Sequence, residues 1–434
     1  MSFNNHCNEL NSQKGLKAYI KKKIINILLK KLVTEPEEPL LFRDKPGLLI
    51  DVSHVTVNKN WITGVRQAGN KTWLTGIARV VNNIFHHIYG LSDNVIPIQY
   101  KSGKLITSYL YLSRLEGLEE KNEQTIMFQQ GDNILLLDDP WDKYEDYYYI
   151  LDMAAKAGGK SYAIVHDLIP VQYPEVCGAE RVIKEYTGWH NMLLQKADAL
   201  VCVSQTTADG LVAYYKQMKF TRTRPLAVFY FHLGADVPEG EKKVREEIRR
   251  FVSSGKFTFL MVGTVEPRKK QITALQALQK LPEEIRRDCR LLIIGKDGWK
   301  NEDVFKMLEL PELRKNVLWV RDASDGELRW AYSNSSALIA ASLQEGFGLP
   351  LVEAAHFGLP LICSDIPIFR EVTQGNADFF TVQDAANLAE CLVRWMQSDQ
   401  HPDSHKIPVY SWQESAREVL DIVGGKAEPY KVLQ

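Results

Sequence analysis

The sequence predicts an α/β protein of two doubly wound domains that face a central cleft. Its 434 residues exceed the length that one compact domain usually holds. Short apolar runs rich in β-branched residues alternate with helical patterns in both halves of the chain, and this alternation is typical of parallel sheets covered by helices. A composition of 45% hydrophobic and 25% charged residues is that of a globular protein.

The first half of the chain contains a series of predicted strands with helices between them. The predicted strands are Gly47–Val52, Val95–Gln99, Asn133–Leu137, Tyr162–Val165, Ala199–Val203 and Leu226–Phe229. The predicted helices are Gly76–Tyr89, Tyr147–Ala157, Glu180–Lys196 and Thr206–Tyr215. Short β-branched runs favour the strands, and apolar residues at helical spacing favour the helices.

The second half repeats this pattern. Its predicted strands are Phe257–Val262, Arg290–Ile294, Val317–Val320, Ala337–Ala340 and Leu361–Ser364. Its predicted helices are Gln271–Gln279, Asp303–Leu308, Asp325–Tyr332, Pro350–Phe357 and Ala385–Gln397. A last helix, Trp412–Val423, follows a polar loop that contains proline.

The boundary between the two domains falls near Asp236–Arg245, where Gly234, Pro238 and Gly240 precede a charged helix. The sequence therefore divides into an extension (1–46), a first domain (47–238), a second domain (239–408) and a C-terminal helix (409–434). Two doubly wound domains bind ligands at the carboxyl ends of their strands, in the crevice between them.

Composition and motifs argue against several classes of protein. The formal net charge is −1, so the chain lacks the overall basic field of nucleic-acid binders. Neither half carries G-x-G-x-x-G after a strand, which counts against a nicotinamide or flavin oxidoreductase. The scattered cysteines, with Cys202 and Cys363 in apolar runs, indicate buried free thiols and a reducing, cytosolic compartment. No apolar run approaches the roughly 20 residues that span a bilayer.

The N-terminal extension contains a basic amphipathic segment. Seven lysines lie between Lys14 and Leu32, and apolar residues recur there at helical spacing. Such a helix either lies on an anionic membrane surface or docks on its own protein with its lysines in solvent. The pattern leaves both alternatives open.

The most informative motif begins at Glu345 and opens the helix after the strand Ala337–Ala340. Gly346 and Gly348 allow close backbone approach to a ligand, and Pro350 suits the first turn of a helix. The free N–H groups and the dipole of that turn suit a diphosphate. Glu353 is placed to accept hydrogen bonds from ribose hydroxyls, and Glu345 to reach the sugar. The alternative is a capped helix with a glycine-rich entry.

A basic loop follows the first strand of the second domain. Arg268 and Lys269 are candidates to stabilise the negative charge that a nucleotide diphosphate gains as it leaves. The alternative is a solvated basic turn.

Three further segments follow strands or open helices in the first domain. His166 and Asp167 follow an apolar strand, where histidine can face the cleft or simply be buried. Gly76 and Arg79 open a long helix, either as part of a ligand loop that also includes residues 61–65 or as an ordinary helix start. The pair at 138–139 resembles half of a metal motif, and we interpret it as a structural turn at the end of a strand.

Five segments in order resemble the retaining glycosyltransferases of family 4, which have the GT-B fold of two Rossmann-like domains. The segments are Thr75-Gly76-Ile77-Ala78-Arg79, Val165-His166-Asp167-Leu168-Ile169-Pro170, Ala197–Ser204, Gly263-Thr264-Val265-Glu266-Pro267-Arg268-Lys269-Lys270 and Glu345–Ala355. The nearest branch resembles bacterial enzymes that build surface polysaccharides, often mannosyltransferases and sometimes rhamnosyltransferases.

The resemblance implies roles for individual residues. It implies an acceptor-binding first domain, a donor-binding second domain and a last helix that crosses back to the first domain. The implied catalytic residues are Glu345, His166, Arg268 and Lys269. The implied donor-binding residues are Glu353, Gly346, Phe347, Gly348, Leu349, Gly76, Gly263 and Thr264. The implied acceptor-binding residues are Asp167 and Arg79.

The resemblance also implies a mechanism and partners. No protein nucleophile is expected; the acceptor attacks the face that the leaving phosphate occupies, and the phosphate takes its proton. No metal or other cofactor is expected, because basic side chains and a helix dipole stabilise the diphosphate. The expected substrates are a nucleotide sugar, first GDP-mannose, and a saccharide or lipid-linked glycan, handled in the cytoplasm at the inner face of the membrane.

Other functions share this scaffold. The same family contains rhamnosyl- and glucosyltransferases, and related enzymes are epimerases, which need no acceptor, and phosphorylases, which need inorganic phosphate. A catalytically inactive nucleotide-sugar or carbohydrate-binding protein is the alternative from another class. The joint presence of Glu345, Glu353, Arg268, Lys269 and His166 favours an enzyme.

Overall fold

The computed structural model describes residues 40–41, 43–52, 76–101, 103–108, 123–237 and 243–434. The basic amphipathic segment of residues 14–32, the loop of residues 61–65, Thr75 and residues 238–242 of the domain boundary lie outside the described residues. Among the helices that are described, none is long and apolar enough to span a bilayer.

The first sheet has eight strands within the described residues. They are β1 (Leu48–Asp51), β2 (Val95–Lys101), β3 (Lys104–Thr107), β4 (Asn133–Leu136), β5 (Ser161–Val165), β6 (Ala199–Cys202), β7 (Leu226–Tyr230) and β14 (Lys431–Leu433). Their order is β14-β7-β6-β5-β4-β1-β2-β3. Neighbouring strands are parallel, except that β3 and β14 each pair antiparallel at an edge.

The second sheet has six strands in the described part of the chain, all parallel. They are β8 (Phe257–Val262), β9 (Cys289–Ile294), β10 (Val317–Val320), β11 (Ala337–Ala340), β12 (Leu361–Ser364) and β13 (Asp378–Phe380). Their order is β10-β9-β8-β11-β12-β13. The order reverses between β8 and β11, and ligands bind outside the carboxyl ends of the strands at such a reversal.

Helices connect the strands of both sheets. Those of the first part of the chain are α1 (Ile77–Leu91), α2 (Tyr144–Lys156), α3 (Ile169–Gln172), α4 (Glu180–Lys196) and α5 (Gln205–Met218). Those of the second are α6 (Glu246–Ser253), α7 (Gln271–Lys280), α8 (Glu283–Arg286), α9 (Glu302–Leu308), α10 (Asp325–Asn334), α11 (Leu349–His356), α12 (Pro367–Thr373), α13 (Ala385–Gln397) and α14 (Trp412–Val423). The predicted fold class, two doubly wound α/β domains, is confirmed.

The sequence missed the short edge strands β3, β13 and β14 and the helix α12. An edge strand packs on one side only and needs no continuous apolar run, so its sequence resembles a loop. Strand β14 also pairs with β7, from which it is separated by some 200 positions along the chain. Such pairing depends on whether the end of the chain comes back to the edge of the first sheet, and the local sequence does not predict this.

The chain crosses between the two sheets twice, and the two crossings run side by side. Gly234 forms a parallel bridge with Tyr410, and the backbone N–H of Ala235 donates to the Tyr410 carbonyl. The Asp236 carboxylate then accepts from the backbone N–H of Trp412 at 2.8 Å. Helix α14, which follows, packs on α1 of the first sheet in one apolar core. The last helix therefore returns to the first domain.

Candidate active site

The loops that follow β5, β8 and β11 meet at one point between the two sheets. Gly346, after β11, lies directly against the backbone of His166, after β5. A β-carbon at position 346 would be 1.9 Å from the His166 carbonyl oxygen and 3.0 Å from the β-carbon of Asp167. Only glycine permits this approach. Two segments that the sequence predicted separately as site residues are thus in contact.

Two hydroxyl groups of the first domain hold the same glycine from the other side. Ser204 Oγ donates to the Gly346 carbonyl at 2.7 Å, and Thr207 Oγ1 donates to it at 3.0 Å. Ser204 is also the N-cap of α5, where its hydroxyl accepts from the Thr207 backbone N–H. The start of a first-domain helix therefore positions the glycine-rich loop of the second domain.

Glu345 is buried between two cations. Arg268 Nη1 and Lys269 Nζ each lie 2.5 Å from a Glu345 carboxylate oxygen, and Ser342 Oγ donates at 2.7 Å. Burial alone would raise the pKa of Glu345, but the charges of Arg268 and Lys269 and the hydrogen bonds hold it at about 2. Glu345 is therefore an anion at neutral pH, and it cannot serve there as a general acid.

A second carboxylate completes this charge cluster. Arg268 Nε lies 2.6 Å from Glu266 Oε1. Burial opposes the charge of Arg268, but Glu345 and Glu266 raise its pKa further above its ordinary value. Burial also raises the pKa of Glu266, against the influence of Arg268 and Lys269. Two cations and two carboxylates thus meet at the carboxyl ends of β8 and β11, with their formal charges balanced.

The helix after the glycine-rich loop begins at this cluster. Gly348 is its N-cap with φ of 100°, and Pro350 lies in its first turn. The first N–H groups of a helix have no partners within the helix. The anion site at this helix start stays a prediction.

Glu353, on the buried face of α11, contacts the first domain. It forms a salt bridge with Arg79 of α1, and Tyr332 donates a hydrogen bond to it at 2.6 Å. Arg79 also donates to the Asp236 carbonyl at 3.0 Å. Arg79, predicted to contact the acceptor, pairs in this structure with a residue predicted to bind the donor. Both roles stay predictions. The sequence missed Tyr332, because nothing in the local pattern marks a helical tyrosine as a partner of Glu353.

His166 is buried at the end of β5. Its Nε2 lies 3.0 Å from the Leu137 carbonyl oxygen, which can only accept, so Nε2 carries a proton. Asp139, interpreted from sequence as a structural turn, is a wholly buried neighbour. One of its oxygens accepts from Trp189 Nε1 at 3.1 Å, and the other has no hydrogen-bond partner among the described residues. The buried carboxyl group of Asp139 is thus close enough to His166, a predicted catalytic residue, for their charges to interact.

The structure places the remaining predicted residues in loops and at helix starts. Asp167 accepts from the Ile169 backbone N–H at 2.9 Å and from the Tyr186 hydroxyl at 3.2 Å, so it orders the start of α3. Gly76 is the N-cap of α1. Gly263 and Thr264 lie in the loop after β8, Phe347 lies in the loop after β11, and Leu349 is the first residue of α11. The absence of a metal requirement stays a prediction.

Solved structures of similar architecture support the assignment of the fold. Sucrose-phosphate synthase from Thermosynechococcus elongatus matches with a TM-score of 0.59 at 16% identity, covering 88% of this chain and 99% of that one. Anabaena HepE, solved in complex with UDP, matches with a TM-score of 0.55 at 12% identity, covering 88% and 97%. The molecule therefore has the GT-B fold of glycosyltransferases.

The sequence comparisons relate the second domain to a known family. Residues 244–409 match the model of the glycosyl transferases group 1 family. The serotype-specific mannosyltransferase WbdA of Escherichia coli is 32% identical over 320 residues, which is 71% of this chain and 39% of WbdA. The O-antigen chain mannosyltransferase RfbU of Salmonella typhimurium is 25% identical over 221 residues, 51% of this chain and 56% of RfbU. The second domain of this chain is thus a group 1 glycosyl transferase domain. The chain spans about two fifths of the length of WbdA.

The buried ion pair between α1 and α11 predicts strong coupling in stability. Arg79→Met leaves the Glu353 carboxylate buried without its cation, so we expect a loss of about 3–5 kcal/mol in the free energy of unfolding. Arg79→Met combined with Glu353→Gln removes both charges and should recover part of that loss. Urea denaturation of the single and double variants measures the coupling.

Arg250→Met is the matched control, because Arg250 pairs with Glu246 on an exposed helix surface. It should change stability by less than about 0.5 kcal/mol. Strictly additive effects of the Arg79 and Glu353 changes would contradict a direct interaction.

The raised pKa of Asp139 predicts that the free energy of unfolding depends on pH. Burial raises its pKa to about 7; His166 and the Trp189 hydrogen bond oppose this, while Asp138 and Asp167 add to it. The folded protein therefore binds this proton more tightly than the unfolded chain, and the stability present below about pH 4 is lost as pH rises through about 7. Asp139→Asn removes that loss.

The measurement is the melting temperature of wild type and Asp139→Asn at pH 5 and pH 8. The melting temperature of the variant minus that of wild type should be higher at pH 8 than at pH 5, by roughly 2 °C or more. Asp303→Asn, at an exposed side chain, is the control and should show no such gain. A constant difference between wild type and Asp139→Asn would rule out the titration.

Proposed function

We propose that the protein is a retaining glycosyltransferase of family 4 that transfers a hexose from a nucleotide sugar to a saccharide or lipid-linked glycan during surface-polysaccharide synthesis. The observation that carries the proposal is the Arg268–Glu345–Lys269 cluster at the strand-order reversal of the second sheet, in contact with His166 of the first domain. The similarity to O-antigen mannosyltransferases supports mannose, and GDP-mannose is the proposed donor.

The charge cluster suits the departure of a nucleotide diphosphate. Arg268 and Lys269 are the cations that can stabilise the phosphate charge as the glycosidic bond breaks. In this structure both are paired with Glu345, so donor binding exchanges part of that pairing for phosphate oxygens. The α11 N-terminus adds N–H donors and a dipole directed to the same place.

Glu345 supports an electrostatic role on the sugar. Its low pKa keeps it anionic, and an anion stabilises the positive charge of an oxocarbenium-like transition state. Both carboxylate oxygens are held by neighbouring side chains. The proposed reaction therefore uses no glutamate nucleophile: the acceptor hydroxyl attacks the face from which the phosphate leaves, and the departing phosphate oxygen takes its proton.

The first domain closes the site. The contact of Gly346 with His166 brings the first domain against the loop that carries Glu345, which is buried. We propose that His166 holds the transferred sugar near its reacting carbon and that the cytoplasm is where the reaction takes place. No metal or other cofactor enters the proposal.

The decisive experiment is nucleotide release from a panel of guanosine, uridine, thymidine and adenosine diphosphate sugars, with and without a lipid-linked saccharide acceptor. Acceptor-dependent release from one donor establishes the transfer and names the donor. Release without acceptor dependence, or tight nucleotide binding with no release, supports the epimerase or binding-protein alternatives instead.

The cluster predicts the effect of changing its members. Lys269→Ala and Glu345→Gln should each lower kcat by roughly a hundredfold or more, because each removes a charge that acts in the transition state. Glu345→Gln keeps the size of the side chain, and circular dichroism shows whether the fold is retained. Lys306→Ala, at an exposed lysine of the same domain, should retain wild-type turnover. Wild-type turnover in Lys269→Ala or Glu345→Gln refutes the assigned role.

The basic segment between Lys14 and Leu32 supports work at the inner face of the membrane. We expect the full chain to sediment with vesicles that contain anionic lipid, and less so with neutral vesicles, because lysines add electrostatic attraction. Deleting the residues before Thr34 should abolish the difference. Unaltered sedimentation after that deletion refutes membrane binding through this segment.

A further inference from the structure

One turn of the first domain accepts hydrogen bonds from a loop of the second domain. The turn is a 3₁₀ helix, Pro174–Val176, and Cys177 follows it directly. Trp299 Nε1 donates to the Val176 carbonyl at 3.2 Å, and Lys300 Nζ donates to the Cys177 carbonyl at 2.9 Å. Both donors lie in the loop after β9. The last carbonyls of a helical turn have no partner within it, and here the second domain supplies their donors.

A different loop of the second domain contacts the same turn through apolar groups. Leu343, which follows β11, packs against a small buried cluster that contains Val176 and Cys177. A β-carbon at position 178 would be 4.0 Å from Trp299 Cδ1, so the backbone after the turn lies against the indole ring. Residues 174–177, here called the clasp turn, thus contact the loop after β9 and the loop after β11.

These two loops are also joined to the loop after β8, which carries both cations of the site. On one side, the backbone N–H of Val265 donates to the Lys296 carbonyl at 2.9 Å, and that of Gly298 donates to the Val265 carbonyl at 3.1 Å. On the other side, the backbone N–H of Leu343 donates to the Arg268 carbonyl at 2.7 Å. One loop on each side therefore separates the clasp turn from the loop that carries the cations.

We propose that the clasp turn positions the cations of the site from the first domain. Trp299, Lys300 and Leu343 are the positioning residues. They fix the loops after β9 and β11, and these loops fix the backbone that carries Arg268 and Lys269. A charge stabilises a transition state best when it is held in place beforehand, because no reorganisation is then needed during the reaction. The inference rests on the proposed function.

The backbone of Lys300 agrees with a contact that holds the loop from outside. Its φ is 49°, in the left-handed region that residues other than glycine rarely adopt. Such a conformation persists where the surrounding structure holds it. The ammonium group of this residue reaches the Cys177 carbonyl, and the side chain of the neighbouring Trp299 is held in the same way although this residue is 40% exposed. The loop after β9 therefore depends on a contact outside its own domain.

Hydrogen–deuterium exchange of the full chain without ligand tests the positioning directly. Trp299→Phe removes the indole N–H and keeps an aromatic ring, and Lys300→Met removes the ammonium group and keeps most of the side-chain length. In each variant the backbone amides of Val265, Gly298 and Leu343 should exchange roughly threefold to tenfold faster, as expected for one lost hydrogen bond. Peptides from helix α13 should exchange as in wild type.

Two further variants are matched controls. Trp330→Phe changes a half-buried tryptophan of α10 that packs on an arginine of its own domain. Lys306→Met changes an exposed lysine that pairs with Asp303 within α9. Neither should change exchange at the three amides. Wild-type exchange at these amides in both Trp299→Phe and Lys300→Met overturns the proposal, and so does faster exchange that is confined to the clasp turn.

Turnover shows whether the cations lose their position. Because Arg268 and Lys269 act in the transition state of the proposed reaction, Trp299→Phe and Lys300→Met should each lower kcat roughly threefold to tenfold, while the donor KM changes less than twofold. The two control variants should retain wild-type kcat. A lower melting temperature with wild-type kcat in both clasp variants would assign the contact to domain packing alone and would overturn the positioning role.

The two proposals fail in different ways. If exchange at the three amides rises as expected but no donor gives acceptor-dependent nucleotide release, the transferase proposal fails and the positioning of the loop after β8 stands. If nucleotide release is acceptor-dependent but exchange and kcat in both clasp variants equal those of wild type, the transferase proposal stands and the positioning role fails.

Discussion

The close approach of Gly346 to the His166 carbonyl is the constraint on which the site depends. With no side chain at position 346, the loop of the second domain rests on the turn that ends β5 in the first domain. Ser204 and Thr207 hold the same glycine carbonyl, so the approach is fixed from two directions. The position of Glu345, the residue next to Gly346, follows from this contact.

Charge balance is the second organising feature. Bringing Arg268, Lys269, Glu266 and Glu345 together in a partly dry site is tolerable only because the charges compensate one another. The same balance keeps Glu345 ionised although it is buried. An anionic ligand that takes Arg268 or Lys269 as its partner must compete with these carboxylates for the cation.

The two domains are joined at places that differ in chemistry. The paired crossings at Gly234 and Tyr410 join the backbones, whereas Arg79 and Glu353 join α1 to α11 through buried charges. Farther along the cleft, Trp299 Nε1 donates to the Val176 carbonyl at 3.2 Å. Glu353 is also a predicted donor contact, so the prediction assigns two roles to one carboxylate, in donor binding and in the packing of the domains.

The sequence by itself determined the fold class, strands such as Phe257–Val262 to the residue, and the membership of Glu345 and Lys269 in one site. Buried strands and helices are encoded by local periodicity, and glycine-rich loops by local backbone needs. Only the tertiary structure decided that Arg79 pairs with Glu353, that Asp139 lies behind His166, and that β14 joins the first sheet. These contacts join residues that are far apart in the chain. They depend on how the strands and helices pack against one another, and the local sequence does not predict that packing.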